Sequence, residues 1–126
     1  MKRNIIALIS ATVWISVSEF VRNQVVFLNL WEDHYASKGL VFETKPINGA
    51  VWGIWSLLFA FILHSLLRKF NFKETFVLGW LIAFGMMWLV IGNLGVLPYP
   101  LLWFAVPLSI FETAGAIWLI RKYSSK

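Results

Sequence analysis

The residues of this sequence with the types and spacing to do chemistry are two carboxylates and a guanidinium, each set inside an apolar run. Glu19 and Arg22 interrupt TVWISVSEFVRN at 12–23, and Glu112 interrupts LLWFAVPLSIFETAGAIWLI at 101–120. An ionisable side chain near a bilayer centre costs at least about 2.5 kcal/mol, so such residues turn towards protein or a wet cavity. At about 100° per residue, Thr12, Ser16, Glu19 and Asn23 fall within about 60° of one another on a helix, with Arg22 on the flank. Ala105, Ser109, Glu112 and Ala116 repeat those offsets. Each stripe contains a Ser-x-x-Glu, which caps a helix when it stands at a helix start. Both instances lie well inside their apolar runs, so the spacing marks inward faces instead.

Glu19 and Arg22 are spaced for an i,i+3 ion pair that would fix the first helix against its neighbours. Alternatively, Arg22 grips an anion bidentately while Glu19 exchanges a proton. Glu112 has no basic residue near it in sequence. It reads either as a protonated acid hydrogen-bonded to a backbone carbonyl, including one freed by Pro107, or as a proton carrier beside a proline kink. Counting about 1.5 Å per residue from the edge that bears the termini puts Glu19 at about 21 Å, Arg22 at about 25 Å, Glu112 at about 12 Å and His64 at about 5 Å. Asn48 and Asn93 fall near the far ends of the second and third spans, at a height from which they could reach Arg22 or Glu19. The candidate substrate-binding or proton-coupling set is therefore Glu19, Arg22, Glu112, Ser16, Asn23, Asn93 and Ser109, with Asn48 and His64 as accessories. His64 lies about 120° from the face that carries Asn48 and Trp52, which reads as an interfacial histidine rather than a relay member.

Other chemistries lack their residues. There is no cysteine, so disulfides, thiolate sites and cysteine nucleophiles are excluded. No HExxH, GxSxG, Ser-x-x-Lys, GxxxxGK[ST] or GxGxxG is present. Met86 and Met87 read as packing, because no other soft ligand accompanies them. Glu32, Asp33 and His34 are oxygen and nitrogen donors, but adjacent side chains diverge, and the segment reads as a solvated loop. Catalytic residues, metal ligands and cofactors are not expected.

These groups must be positioned by membrane spans. Of 126 residues, 60% are hydrophobic and 13% charged, against about a quarter charged in a soluble domain. The apolar runs predict an all-α, integral membrane bundle of four transmembrane helices joined by short loops, one domain over 1–126, with spans at about 4–30, 48–67, 74–96 and 101–120. The N-terminal basic residues and apolar run have the form of a secretory signal, but apolar character resumes after Asn23, so 4–30 reads as one long span anchored by Trp31. Its length of about 40 Å, against a core of about 30 Å, implies tilt or a projecting end. Residues 32–47 form the one sizeable loop. Gly49 and Gly53 make a GxxxG, and Gly79, Gly85 and Gly92 thin the third span, so self-association is expected, with a homodimer the first guess.

Lys2, Arg3, Arg68, Lys69, Lys73, Arg121, Lys122 and Lys126 gather on one side, leaving Lys38 and Lys45 on the other. By the positive-inside rule both termini are cytoplasmic, a pattern that suits a bacterial inner membrane. The net charge of +5 is thus an orientation signal and does not imply nucleic acid. The function expected from the polar stripe is a proton-coupled transporter or channel-like protein. The alternative is a non-catalytic membrane subunit that binds a partner membrane protein through that stripe, and a lipid-acting intramembrane enzyme is a third, less favoured reading.

Overall fold

The computed structural model describes residues 1–124, and Lys126, counted above among the basic residues, lies outside them. The described chain is all-helical. Helix α1 spans Lys2–Phe20 and continues as a π-helical turn, Val21–Val26; α2 spans Leu28–Ser37 and α3 spans Pro46–Leu67. Helix α4 (Phe72–Trp80) runs through a second π-helical turn, Leu81–Gly85, into α5 (Met86–Asn93), and a 3-10 turn at Tyr99–Leu101 leads into α6 (Leu102–Tyr123). Four apolar runs are long enough to cross a membrane: Lys2–Val26, Pro46–Leu67, Phe72–Asn93 and Tyr99–Tyr123. The shortest has 22 residues, about 33 Å at 1.5 Å per residue, enough for a core of about 30 Å. Large apolar side chains such as Val17, Phe20, Leu89, Trp103 and Phe104 are exposed, as lipid-facing surface should be.

Sequence signals set the ends of these runs. Pro46 occupies the first position of α3, where its missing N–H costs nothing, and the Asn48 side chain accepts from Lys45 N (3.0 Å). Asn71 and Glu74 form a reciprocal capping box, with bonds of 2.9 and 3.0 Å, so the third span begins at Phe72 rather than 74. Helix α6 runs through Pro107 without interruption.

The first span differs most from expectation. Phe27 N–H bonds to Arg22 O, five residues back, at 2.9 Å, and Phe27 leaves the helical region with φ −111° and ψ 9°. The chain turns there, and residues 28–37, predicted as the end of a span and the start of a solvated loop, form α2. Trp31, His34 and Tyr35 share the inner face of α2 at i, i+3 and i+4, while Glu32 and Asp33 are exposed. Trp31 is buried and stacks on Phe42 at 5.5 Å, Tyr35 meets Phe42 edge-on at 5.1 Å, and His34 Nε2 lies 2.9 Å from Gly95 O. An aromatic cap thereby closes the end of the bundle away from the termini.

The most extensive helix interface is between α1 and α6. Ala7, Ala11 and Ile15 of α1 and Ala105, Ala116, Ile117 and Ile120 of α6 are buried; the small residues let the backbones approach. A Cβ on Gly115 would stand 2.7 Å from the Trp14 indole, whose Nε1 donates to Glu112 O at 2.9 Å. Gly79 similarly admits Leu63 of α3 against α4. Gly49 and Gly53 behave otherwise: a Cβ on either would meet nothing within 4 Å, so the GxxxG of α3 is not used within this chain.

Candidate functional site

Glu19 lies in the last turn of α1, Arg22 in the π-helical turn that follows, and Glu112 projects from α6. Arg22 Nη2 is 2.5 Å from Glu19 Oε1, and Arg22 Nη1 is 3.5 Å from Glu112 Oε2. All three are buried, with at most 4% of any residue exposed. The guanidinium also sits over the Phe84 ring, 5.2 Å from its centroid. Asn23 Nδ2 donates to the other Glu19 oxygen (3.0 Å), and Trp31 Nε1 donates to Asn23 Oδ1 (3.0 Å). Both oxygens of Glu19 are thus engaged, whereas Glu112 Oε1 is buried with no hydrogen-bond partner among the described residues.

The contact between Arg22 and Glu112 corrects the expectation that Glu112 answers to a backbone carbonyl. Counting Cα heights separates Arg22 from Glu112 by about 13 Å. Helical side chains lean towards the N-terminus of their own helix. Because α1 and α6 run antiparallel, Arg22 and Glu112 lean towards each other, and the long arginine closes most of the gap. Arginine suits this position because its planar head offers separate N–H groups to two carboxylates. Each π-helical turn carries one partner of the cation contact, Val21–Val26 holding Arg22 and Leu81–Gly85 holding Phe84. Such turns are inserted where a side chain must be re-aimed, often at functional sites.

Two carboxylates around one guanidinium carry one negative charge in excess, and a single proton on the pair brings the cluster to neutrality. Ion clusters out of water hold together when each charge is compensated and hydrogen-bonded. Neighbouring the cluster is a cavity of about 470 Å³ between α1 and α3. Ser16, Glu19 and Asn23 line one side, and Asn48 and Trp52 the other, and the bare faces of Gly49 and Gly53 leave the space open.

The structure therefore gathers Glu19, Arg22, Asn23 and Glu112 into one cluster, with Ser16 and Asn48 at the adjoining cavity. Ser109 is buried, but its hydroxyl accepts from Trp80 Nε1 (2.8 Å) and donates to Val106 O (2.7 Å), apart from the cluster. Asn93 is exposed at the end of α5. His64 lies at the opposite end of the bundle, in a separate cavity. Sequence reasoning missed Trp31, which it assigned to the interface, and Phe84. Trp31 follows Asn23 by eight residues, a spacing that brings the two together only because the chain turns at Phe27. Phe84 had no sequence signal. Among the described residues no group of three His, Asp or Glu side chains could hold a metal ion. No protein-family model, curated protein or solved structure matches this chain.

Proposed function

We propose that the chain is a small proton-coupled membrane carrier, with the Glu19, Arg22 and Glu112 cluster as its coupling site and the cavity between α1 and α3 as its substrate site. The observation that carries this reading is the position of Glu19, which bonds to Arg22 while forming part of the cavity wall. An anionic group entering the cavity competes with Glu19 for Arg22. Glu19, displaced, takes up a proton, and the departure of the substrate reverses the exchange. Glu112 shares the cluster's remaining proton, so that the anion and Glu19 exchange at constant net charge. The test is purified protein in vesicles with an internal pH dye, challenged with organic anions and cations under an imposed pH gradient. The expected result is a substrate-dependent pH change that Glu19→Gln abolishes and Glu112→Gln uncouples. Transport of a substrate at the wild-type rate and coupling by Glu112→Gln would overturn the mechanism.

A second reading has its own support in the unused face of Gly49 and Gly53, which can receive a helix from another chain. In it, the chain is a non-catalytic subunit whose first candidate partner is a second copy of itself. Replacement of both glycines by Leu is then expected to release monomer in detergent, measured by light scattering. An unchanged mass, or a monomeric wild type, would remove the dimer.

A further inference from the structure

We infer that the terminus-bearing end of the bundle holds a binding site for an anionic phosphate group, distinct from the Glu19 cluster and independent of its role. A cavity of about 1110 Å³ opens there between the end of α3, the start of α4 and the end of α6. Arg68, Lys73 and Arg121 line it together with His64, and among the described residues no aspartate or glutamate does. None of the three cations forms an ion pair with a described carboxylate. The nearest acid in sequence, Glu74, is occupied in capping α4. Arg121 is held in place by an aromatic ring, its guanidinium lying 5.7 Å from the Phe72 centroid. Three permanent positive charges around one concavity repel one another, and a bound anion relieves that repulsion.

Phosphate is the anion that the geometry favours. Arginine pairs offer forked N–H groups that match phosphate oxygens, and a lysine adds a point charge. The volume far exceeds that of a lone anion, and Phe70 and Ile120 give the cavity apolar wall, which suits the glycerol and first methylenes of a phospholipid. Lys122 lies over the rings of Trp118 and Tyr123 at 4.9 and 5.3 Å, the aromatic and basic pattern of a headgroup layer. Basic pockets at this level between transmembrane helices are suited to anionic headgroups. A soluble phosphate compound shares the chemistry.

The experiment is thermal unfolding of the full chain in dodecyl maltoside, with dioleoylphosphatidylglycerol, dioleoylphosphatidylcholine or inorganic pyrophosphate added. An anionic phosphate that binds the folded state is expected to raise Tm by at least about 3 °C over phosphatidylcholine. A rise with phosphatidylglycerol alone identifies a lipid headgroup as the source, and a rise with pyrophosphate identifies a soluble one. Arg68→Gln with Arg121→Gln must lose the shift, whereas Lys69→Gln with Lys122→Gln, the same change in charge on neighbours that do not line the cavity, must keep it. Should the arginine pair not fold, Lys73→Gln alone must reduce the shift by about half. No rise with either probe, or equal loss in the two double variants, overturns the site.

Discussion

At the end of the bundle away from the termini, Arg22 lies between two carboxylates, and among the described residues every carboxylate oxygen of the cluster but Glu112 Oε1 has a partner. At the other end, Arg68, Lys73 and Arg121 surround a cavity with no described acid among them. The first cluster is buried except where Glu19 borders the cavity and must largely settle its own charge, because lipid will not. The second is made of exposed side chains at the helix ends, where solvent and counterions are at hand, so its charge can be left for a ligand. Compensated charge therefore contributes to folding at one end, and uncompensated charge is available for binding at the other.

The largest effect is expected at Arg22. Arg22→Met leaves Glu19 and Glu112 facing each other without a cation, and a loss of about 3–5 kcal/mol is expected, read from denaturant titration in micelles by tryptophan fluorescence. A loss below about 1 kcal/mol would mean that water reaches the cluster. Next in size is Gly115→Ala, whose Cβ would strike the Trp14 indole; it is expected to cost about 1–3 kcal/mol. In a double-mutant cycle Trp14→Phe should recover part of that cost, and strict additivity would mean that the two helices simply move apart.

Glu19→Gln and Glu112→Gln separate the contributions of the two carboxylates. Glu19 accepts from both Arg22 and Asn23, whereas Glu112 accepts one contact at 3.5 Å. Hydrogen bonds to charged groups contribute about 1.5–3 kcal/mol each, so Glu19→Gln should be the more destabilising by at least about 1 kcal/mol. The reverse order would make Glu112 the principal partner of Arg22. The smallest effect belongs to the opposite end. Arg68→Gln, at an exposed residue without an ion pair among the described residues, should change stability in plain detergent by no more than about 0.5 kcal/mol, even while it alters the response to phosphate.

The four apolar runs were legible, because burial in lipid is a local demand on composition and spacing; the caps at Pro46 and Asn71 were not read, and the helices they open begin two residues before 48 and 74. The inward turn of Glu19 and Glu112 was legible for the same reason. The end of the first span was not. Periodicity carried it through Leu30, and the π-helical turn that ends it at Val26 depends on where Arg22 must reach, which is not a property of residues 21–26 alone. The acids of α2 suggested a loop, and the helix forms because Trp31, His34 and Tyr35 find Phe42 and Gly95 across the bundle. Asn93 and Ser109 show the converse: one stood at a suitable height and the other on the Glu112 stripe, but the structure turns Asn93 outwards and gives Ser109 to Trp80.

Composition and spacing alone specify a four-span helical protein with charge turned inwards in its first and last helices, since hydrocarbon excludes it, and the loop charges place the basic residues at one end. Only the tertiary structure decided that one arginine serves two glutamates, because that pairing depends on antiparallel helices directing their side chains towards each other. Tertiary structure likewise decided that the basic residues, scattered through the chain at 68, 73 and 121, surround one cavity, since three helix ends had to meet before their charges could act together.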